Sequence, residues 1–188
     1  MNYGEIKTFD IANGIGVRVS LFVSGCTKHC PDCFNEEAWK FDFGKKFTDD
    51  TLNYILELSK REYIDGLSIL GGEPLHPKNI EDVYVIVSTF KFVYPDKDIW
   101  LWSGYTYEEL LERIENNSDI ITKLIFKYID VLVDGPFEKS KKDLLLRFRG
   151  SSNQRIIDIQ KSKHINDRYK LEPVLWKDDD IFENHNWI

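Results

Sequence analysis

The chain has 188 residues, 42% of them hydrophobic, which suits one globular domain with a sizeable core. A formal net charge of −7 argues against a general nucleic-acid or anionic-membrane surface, because the long-range field would repel phosphates. No stretch approaches the roughly 18 to 20 apolar residues of a membrane span, and Met1-Asn2-Tyr3-Gly4-Glu5 lacks the basic and apolar regions of an export signal, so the expectation is a cytoplasmic protein.

Strand and helix signals alternate along the chain. Val17 to Val23 is rich in β-branched residues and reads as a strand, followed at once by Ser24-Gly25 and a cysteine-bearing loop. Thr48 can cap a helix that carries Leu52, Ile55 and Leu56 on one face, with Asp49 and Asp50 near its positive end. Gly66 to Leu70 is a short apolar strand, and Asn79 can open a helix burying Val83, Ile86, Val87 and Phe90. Ile99 to Trp102 is a third strand, on which Trp100 and Trp102 share a face and read as core. Thr106 and Glu109 then form a capping box ahead of Leu110, Leu111 and Ile114. A helical stretch around Ser118 to Phe126 leads into the fourth strand, Ile129 to Val133.

This alternation predicts an α/β fold with parallel strands joined by right-handed helical crossovers. One end of such a sheet is special. Cys26 to Cys33 follows the first strand, Gly71-Gly72-Glu73-Pro74 the second, Ser103-Gly104-Tyr105 the third and Asp134-Gly135-Pro136 the fourth. The unusual segments therefore gather at the C-terminal strand ends, where parallel α/β folds place their sites. Loops after strands also collect glycine for plain turn geometry.

All three cysteines lie in Cys26-Thr27-Lys28-His29-Cys30-Pro31-Asp32-Cys33, a C-x3-C-x2-C spacing with no fourth thiol in the chain. A structural zinc site wants four protein ligands, and an ordinary electron-transfer [4Fe-4S] cluster wants four cysteines. Three thiolates would hold three irons and leave the fourth open for chemistry. His29 offers an alternative, a Cys3His zinc site, although its neighbour Cys30 would have to bind the same ion. A disulfide would leave an odd thiol, which fits a reducing compartment better than secretion.

The cysteine spacing resembles that of the radical S-adenosylmethionine (SAM) enzymes, and Gly71-Gly72-Glu73-Pro74 resembles their second motif, one strand later. Further segments narrow the resemblance to the anaerobic ribonucleoside-triphosphate reductase activating proteins. They are Asp10 to Gly14, Leu21 to Cys26, Asp98 to Tyr105, Val131 to Gly135 and Arg149 to Gln154, within residues 1 to 158. The resemblance implies a partial (β/α) barrel of mainly parallel strands, of radical SAM type, here over residues 1–175. It also implies a [4Fe-4S] cluster on Cys26, Cys30 and Cys33, with SAM chelating the open iron. Asp32, Cys33 and Phe34 would border SAM, Gly72 and Glu73 would face its amino group, and Ser103 and Asp134 are further candidates at strand ends. Asp32 departs from the aromatic residue common before the third cysteine in the wider superfamily. The implied partners are the reductase, which would receive a glycyl radical, and an external one-electron donor such as a flavodoxin.

Residues 176–188 read as an acidic tail, frayed or loosely docked, in which Phe182 and Trp187 raise partner docking as the alternative. Two other functions compete on sequence alone: a radical SAM catalyst acting on a small molecule, and a metal-stabilised binding module without catalysis.

Overall fold

The computed structural model describes residues 1–116, 119–163 and 169–177. In chain order it comprises β1 (Asn2–Asp10), β2 (Arg18–Val23), β3 (Lys45–Lys46), α1 (Asp49–Ser59), β4 (Gly66–Gly71), α2 (Ile80–Val93), β5 (Asp98–Trp102), α3 (Tyr107–Glu115), α4 (Ile120–Ile125), β6 (Val131–Asp134) and β7 (Arg155–Asp158). Short 3-10 turns occupy Glu36–Trp39 and Lys139–Lys141. The seven strands form one sheet in the order β3-β1-β2-β4-β5-β6-β7. β2, β4, β5 and β6 are parallel, as the alternating pattern predicts.

Three strands escape the sequence reading, and all are antiparallel: β1 and β3 on one side, β7 on the other. They give the expected mainly parallel sheet antiparallel margins. The sheet is mixed and open, because β3 and β7 are its edges and no pairing joins them. β1 is hard to see in sequence because it is largely half-exposed and irregular, with register shifts after Tyr3 and Lys7.

Two-residue periodicity divides the buried side chains between the faces. Val19, Leu21, Leu67, Ile69, Ile99, Leu101 and Leu132 join Ile55, Val83, Ile86, Val87, Phe90 and Leu110 of the helices in the main core. Each fully buried aliphatic or aromatic side chain of this kind contributes about 1.5–3 kcal/mol. Arg18, Ser68 and Trp100 alternate with those sheet residues. Arg18 is fully buried yet satisfied, pairing with Asp98 at 2.6 Å and donating from Nε to Ser68 Oγ at 2.7 Å. Trp100 and Trp102 do share a face, with ring centroids 5.8 Å apart, in a second cluster with Phe148 and Trp176.

The helix starts follow their sequence signals in two cases: Thr48 accepts from Thr51 N, and the Thr106–Glu109 box is formed in both directions. At the start of α4 the cap is Asp119, which accepts from Thr122 N. Asn79 stands at the N-cap of α2 but makes no side-chain cap bond. Ser118, at the start of the expected fourth helix, lies outside the described residues, as does the tail from Asp178 onward. Trp176 N donates to Ile156 O at 2.9 Å, and the Trp176 ring meets Trp100 edge-on. No helix among the described residues is long and apolar enough to cross a membrane.

Candidate functional site at the strand ends

The cysteine loop leaves β2 through Gly25, whose φ is +95°. A Cβ there would fall 2.1 Å from the Phe41 ring, so glycine is required on both backbone and steric grounds. The 3-10 turn Glu36–Trp39 then closes beneath the loop: Gly25 N donates to Ala38 O at 2.7 Å and Cys26 N to Trp39 O at 3.1 Å. Two non-glycine residues inside the loop take left-handed backbone, His29 at φ +46° and Asp32 at φ +57°. His and Asp are among the residues that tolerate this region best.

Cys26, Cys30 and Cys33 are free thiols, each half-buried. Burial pushes the Cys26 thiol up from its ordinary value, opposed by the N–H of Lys28, which donates to its sulfur at 3.4 Å. Hydrogen bonds of this kind help set the potential of an iron-sulfur cluster. The His29 ring stacks on Trp39 at 4.7 Å. Among the described residues no three His, Cys, Asp or Glu side chains converge as they would around one metal ion. Three free thiols on one tightly turned loop, with a backbone donor at sulfur, fit the donor set of a site-differentiated cluster.

Hydrogen bonds join each strand-end loop to the next. Gly72 N donates to Val23 O at 2.7 Å and Glu73 N to Gly25 O at 2.9 Å, tying the Gly-Gly-Glu-Pro turn to the root of the cysteine loop. A Cβ on Gly72 would meet Gly25 O at 2.7 Å and Ala38 O at 3.1 Å, so this glycine permits close packing of three backbone segments. Glu73 is 1% exposed. Its carboxylate accepts from Leu75 N and Ser103 Oγ at 2.9 Å and from Gly104 N at 2.7 Å. Burial raises its pKa, against the pull of these donors and of Lys28.

The third and fourth loops continue the chain of contacts. Ser103 N donates to Val133 O at 2.9 Å, and Gly135 N to Tyr105 O at 3.0 Å. Asp134 is buried and accepts from Tyr107 N at the first turn of α3, at 2.7 Å, where the helix dipole favours a negative charge. Its other partner is Arg155, which also makes two bonds to Glu108. The Arg149 to Gln154 segment closes the row: Gln154 Nε2 donates to Gly135 O at 3.1 Å and Asn153 Nδ2 to Pro136 O at 2.7 Å.

Glu73 and Ser103 are thus in direct contact, while Gly72 lies against the backbone before Cys26. Asp134 belongs to the same row of loops through backbone bonds. Phe34 is fully exposed beside Cys33, and Asp32 pairs with Lys139 at 2.5 Å on the outer side of the loop.

Two further residues were not read from sequence as part of the site. Asn79, 1% exposed, donates from Nδ2 to Ser24 O at 2.9 Å and Glu73 O at 3.0 Å, fastening the first two loops together. Its position before an amphipathic helix signals a cap, and nothing local signals the clamp. Lys28 reaches from the cysteine loop to lie 4.0 Å from the Tyr105 ring centroid and 3.6 Å from the Glu109 carboxylate.

Comparison with known proteins identifies the family. A family model described as a 4Fe-4S single cluster domain matches residues 12–157, the span that holds the cysteine loop and all four strand ends. Three curated relatives are each named anaerobic ribonucleoside-triphosphate reductase-activating protein. The one from Pasteurella multocida is 44% identical over 156 residues, covering 82% of this chain and 95% of the relative. That of Enterobacteria phage T4 is 40% identical, with 83% and 93% covered, and that of Escherichia coli 40% identical, with 82% and 96% covered. The chain therefore belongs to the family of anaerobic ribonucleoside-triphosphate reductase-activating proteins and carries a 4Fe-4S single cluster domain.

Proposed function

We propose that this protein cleaves SAM reductively at a [4Fe-4S] cluster and uses the product to place a glycyl radical on an anaerobic ribonucleoside-triphosphate reductase. The reading rests on one observation above the rest: the three thiols stand on a loop bonded directly to a Gly-Gly-Glu-Pro turn, in a chain whose relatives bear the activating-protein name. Bound there, the cluster and SAM supply electron transfer to the sulfonium, breakage of its bond to C5′, and a 5′-deoxyadenosyl radical able to take hydrogen from a glycine Cα. The electron comes from an external donor such as a flavodoxin. On this reading the four parallel strands are a partial (β/α) barrel of radical SAM type, working in the reducing cytoplasm, where free thiols persist.

The chain's own residues bind and orient. Cys26, Cys30 and Cys33 hold the cluster. Asp32, Cys33 and Phe34 border SAM from the cysteine loop, and Gly72 and Glu73 from the next. The buried carboxylates of Glu73 and Asp134, with Ser103 between them, keep three loops in register so that SAM meets a preformed edge. The test is anaerobic reconstitution with iron, sulfide, SAM and reductant. About four irons and four sulfides per chain are expected, together with methionine and 5′-deoxyadenosine formed in equal amounts. A single zinc per chain, or a full cluster that leaves SAM intact, would overturn the reading.

A further inference from the structure

We propose that the segment Lys139–Arg149 is the docking surface for a small acidic protein that carries a one-electron group and delivers the electron to the cluster. This rests on the radical-generating function proposed above. The segment holds five Lys or Arg and one Asp, and it stays positive even with Lys139 paired to Asp32 and Lys141 to Glu138, in a chain whose net charge is −7. An anionic partner would be repelled by most of this protein and drawn to this strip, which is how charge steers encounter.

The strip also has an apolar centre. Leu144 and Leu145 are 87% and 90% exposed, with exposed Lys141 and Lys142 before them and exposed Arg147 after. Two adjacent leucines turned to water inside a basic rim reproduce the layout of a small protein interface. Their exposure does not come from a loose loop. Phe148 packs 5.2 Å from the Trp100 ring, its carbonyl accepts from Trp102 Nε1 at 2.8 Å, and Ser152 N donates to Lys141 O at 2.9 Å. The base is anchored in the second core cluster while the tip projects.

Position supplies the link to the cluster. Lys139 pairs with Asp32, the residue before Cys33, and a groove of about 650 Å³ runs between Pro31 of the cysteine loop and Phe137 to Ser140. A protein seated on the strip would bring its redox group to the outer side of the cysteine loop. Size favours the electron donor over the reductase. Eleven residues fall well short of the roughly 20–30 per side in a stable complex and suit the short-lived encounters of electron transfer. An electron need only reach the cluster edge, whereas a glycine Cα must reach the adenosyl carbon.

The test uses the reconstituted protein and follows bleaching of cluster absorbance in stopped flow, with reduced flavodoxin or dithionite as reductant. Two double variants, Lys141→Glu with Lys142→Glu and Leu144→Ser with Leu145→Ser, change exposed side chains outside the core. The charge variant should be reduced by flavodoxin about tenfold more slowly at low salt, the deficit shrinking as salt rises. The leucine variant should be slowed at every salt concentration. Both should match the parent protein with dithionite and bind the reductase with unchanged affinity. Parent-like flavodoxin rates in both variants would overturn the proposal, as would a loss confined to reductase affinity. Normal bleaching without SAM cleavage would instead sink the radical reading, and the bleaching rates would still decide the docking surface.

Discussion

Replacing Cys30 with alanine should abolish cluster loading and reduce reductive SAM cleavage to background while leaving the folded apoprotein intact. The loop offers three thiols and the sequence contains no fourth, so the loss of one leaves two ligands where a cluster needs three. The His29 ring, the alternative ligand within the loop, is stacked on Trp39. Cys30 is only half-buried and lies outside every strand and helix, so the apoprotein should lose no more than about 0.5 kcal/mol. Iron and sulfide analysis of the reconstituted variant, together with thermal unfolding of both apoproteins, checks the two halves separately. A variant that still binds about four irons and cleaves SAM would show that Cys30 is not a ligand.

Glu73→Ala should have the largest effect of any change outside the cysteines, and it should act on stability as well as activity. The carboxylate is buried and answers three donors, Leu75 N, Ser103 Oγ and Gly104 N. Removing it strands them away from water, at about 1–3 kcal/mol per group before relaxation, so a net loss of roughly 2–4 kcal/mol is expected. Glu73→Gln should recover only part of this. Its amide oxygen can replace one carboxylate oxygen, but its NH2 would face either the Gly104 N–H or the Leu75 N–H, donor against donor. SAM affinity of the folded variants should fall in the same order, Ala below Gln below Glu. Thermal unfolding and equilibrium binding of SAM measure the two effects. Parent-like stability in Glu73→Ala would mean that the loops do not depend on this carboxylate.

The sequence made the centre of the sheet legible and hid its margins, for physical reasons. Arg18–Val23, Gly66–Gly71, Asp98–Trp102 and Val131–Asp134 are largely buried, so their apolar runs stand out. β1 is half-exposed, β3 has two residues and β7 buries only Ile157 of its four, too little contrast for periodicity to register. Those three strands make an expected mainly parallel sheet a mixed one. The cysteine loop and the Gly-Gly-Glu-Pro turn were readable because their chemistry is local. Their joining was not, because Asn79 and Lys28 act across long sequence separations through side chains that are unremarkable where they stand. Glu73 illustrates the difference: its position beside the cysteine loop was legible, but its engagement with Ser103 and Gly104 depends on β5 lying next to β4.

Ser103 and Asp134 gain a physical role from the same contacts. Each was a candidate because it ends a strand, and each is buried and bonded to its neighbouring loop. Asp134 holds the start of α3 and pairs with Arg155 of β7, so it couples the site to a strand that the sequence did not reveal. Phe34 and Asp32 stand differently, exposed on the outer part of the cysteine loop and free of the core's constraints.

Electron paramagnetic resonance on the cognate reductase, after anaerobic incubation with the reconstituted protein, SAM and a reductant, tests the central claim most directly. A glycyl radical should appear on the reductase, depend on SAM, and vanish with Cys30→Ala. An intact cluster and full SAM cleavage with no radical on the reductase would contradict the claim.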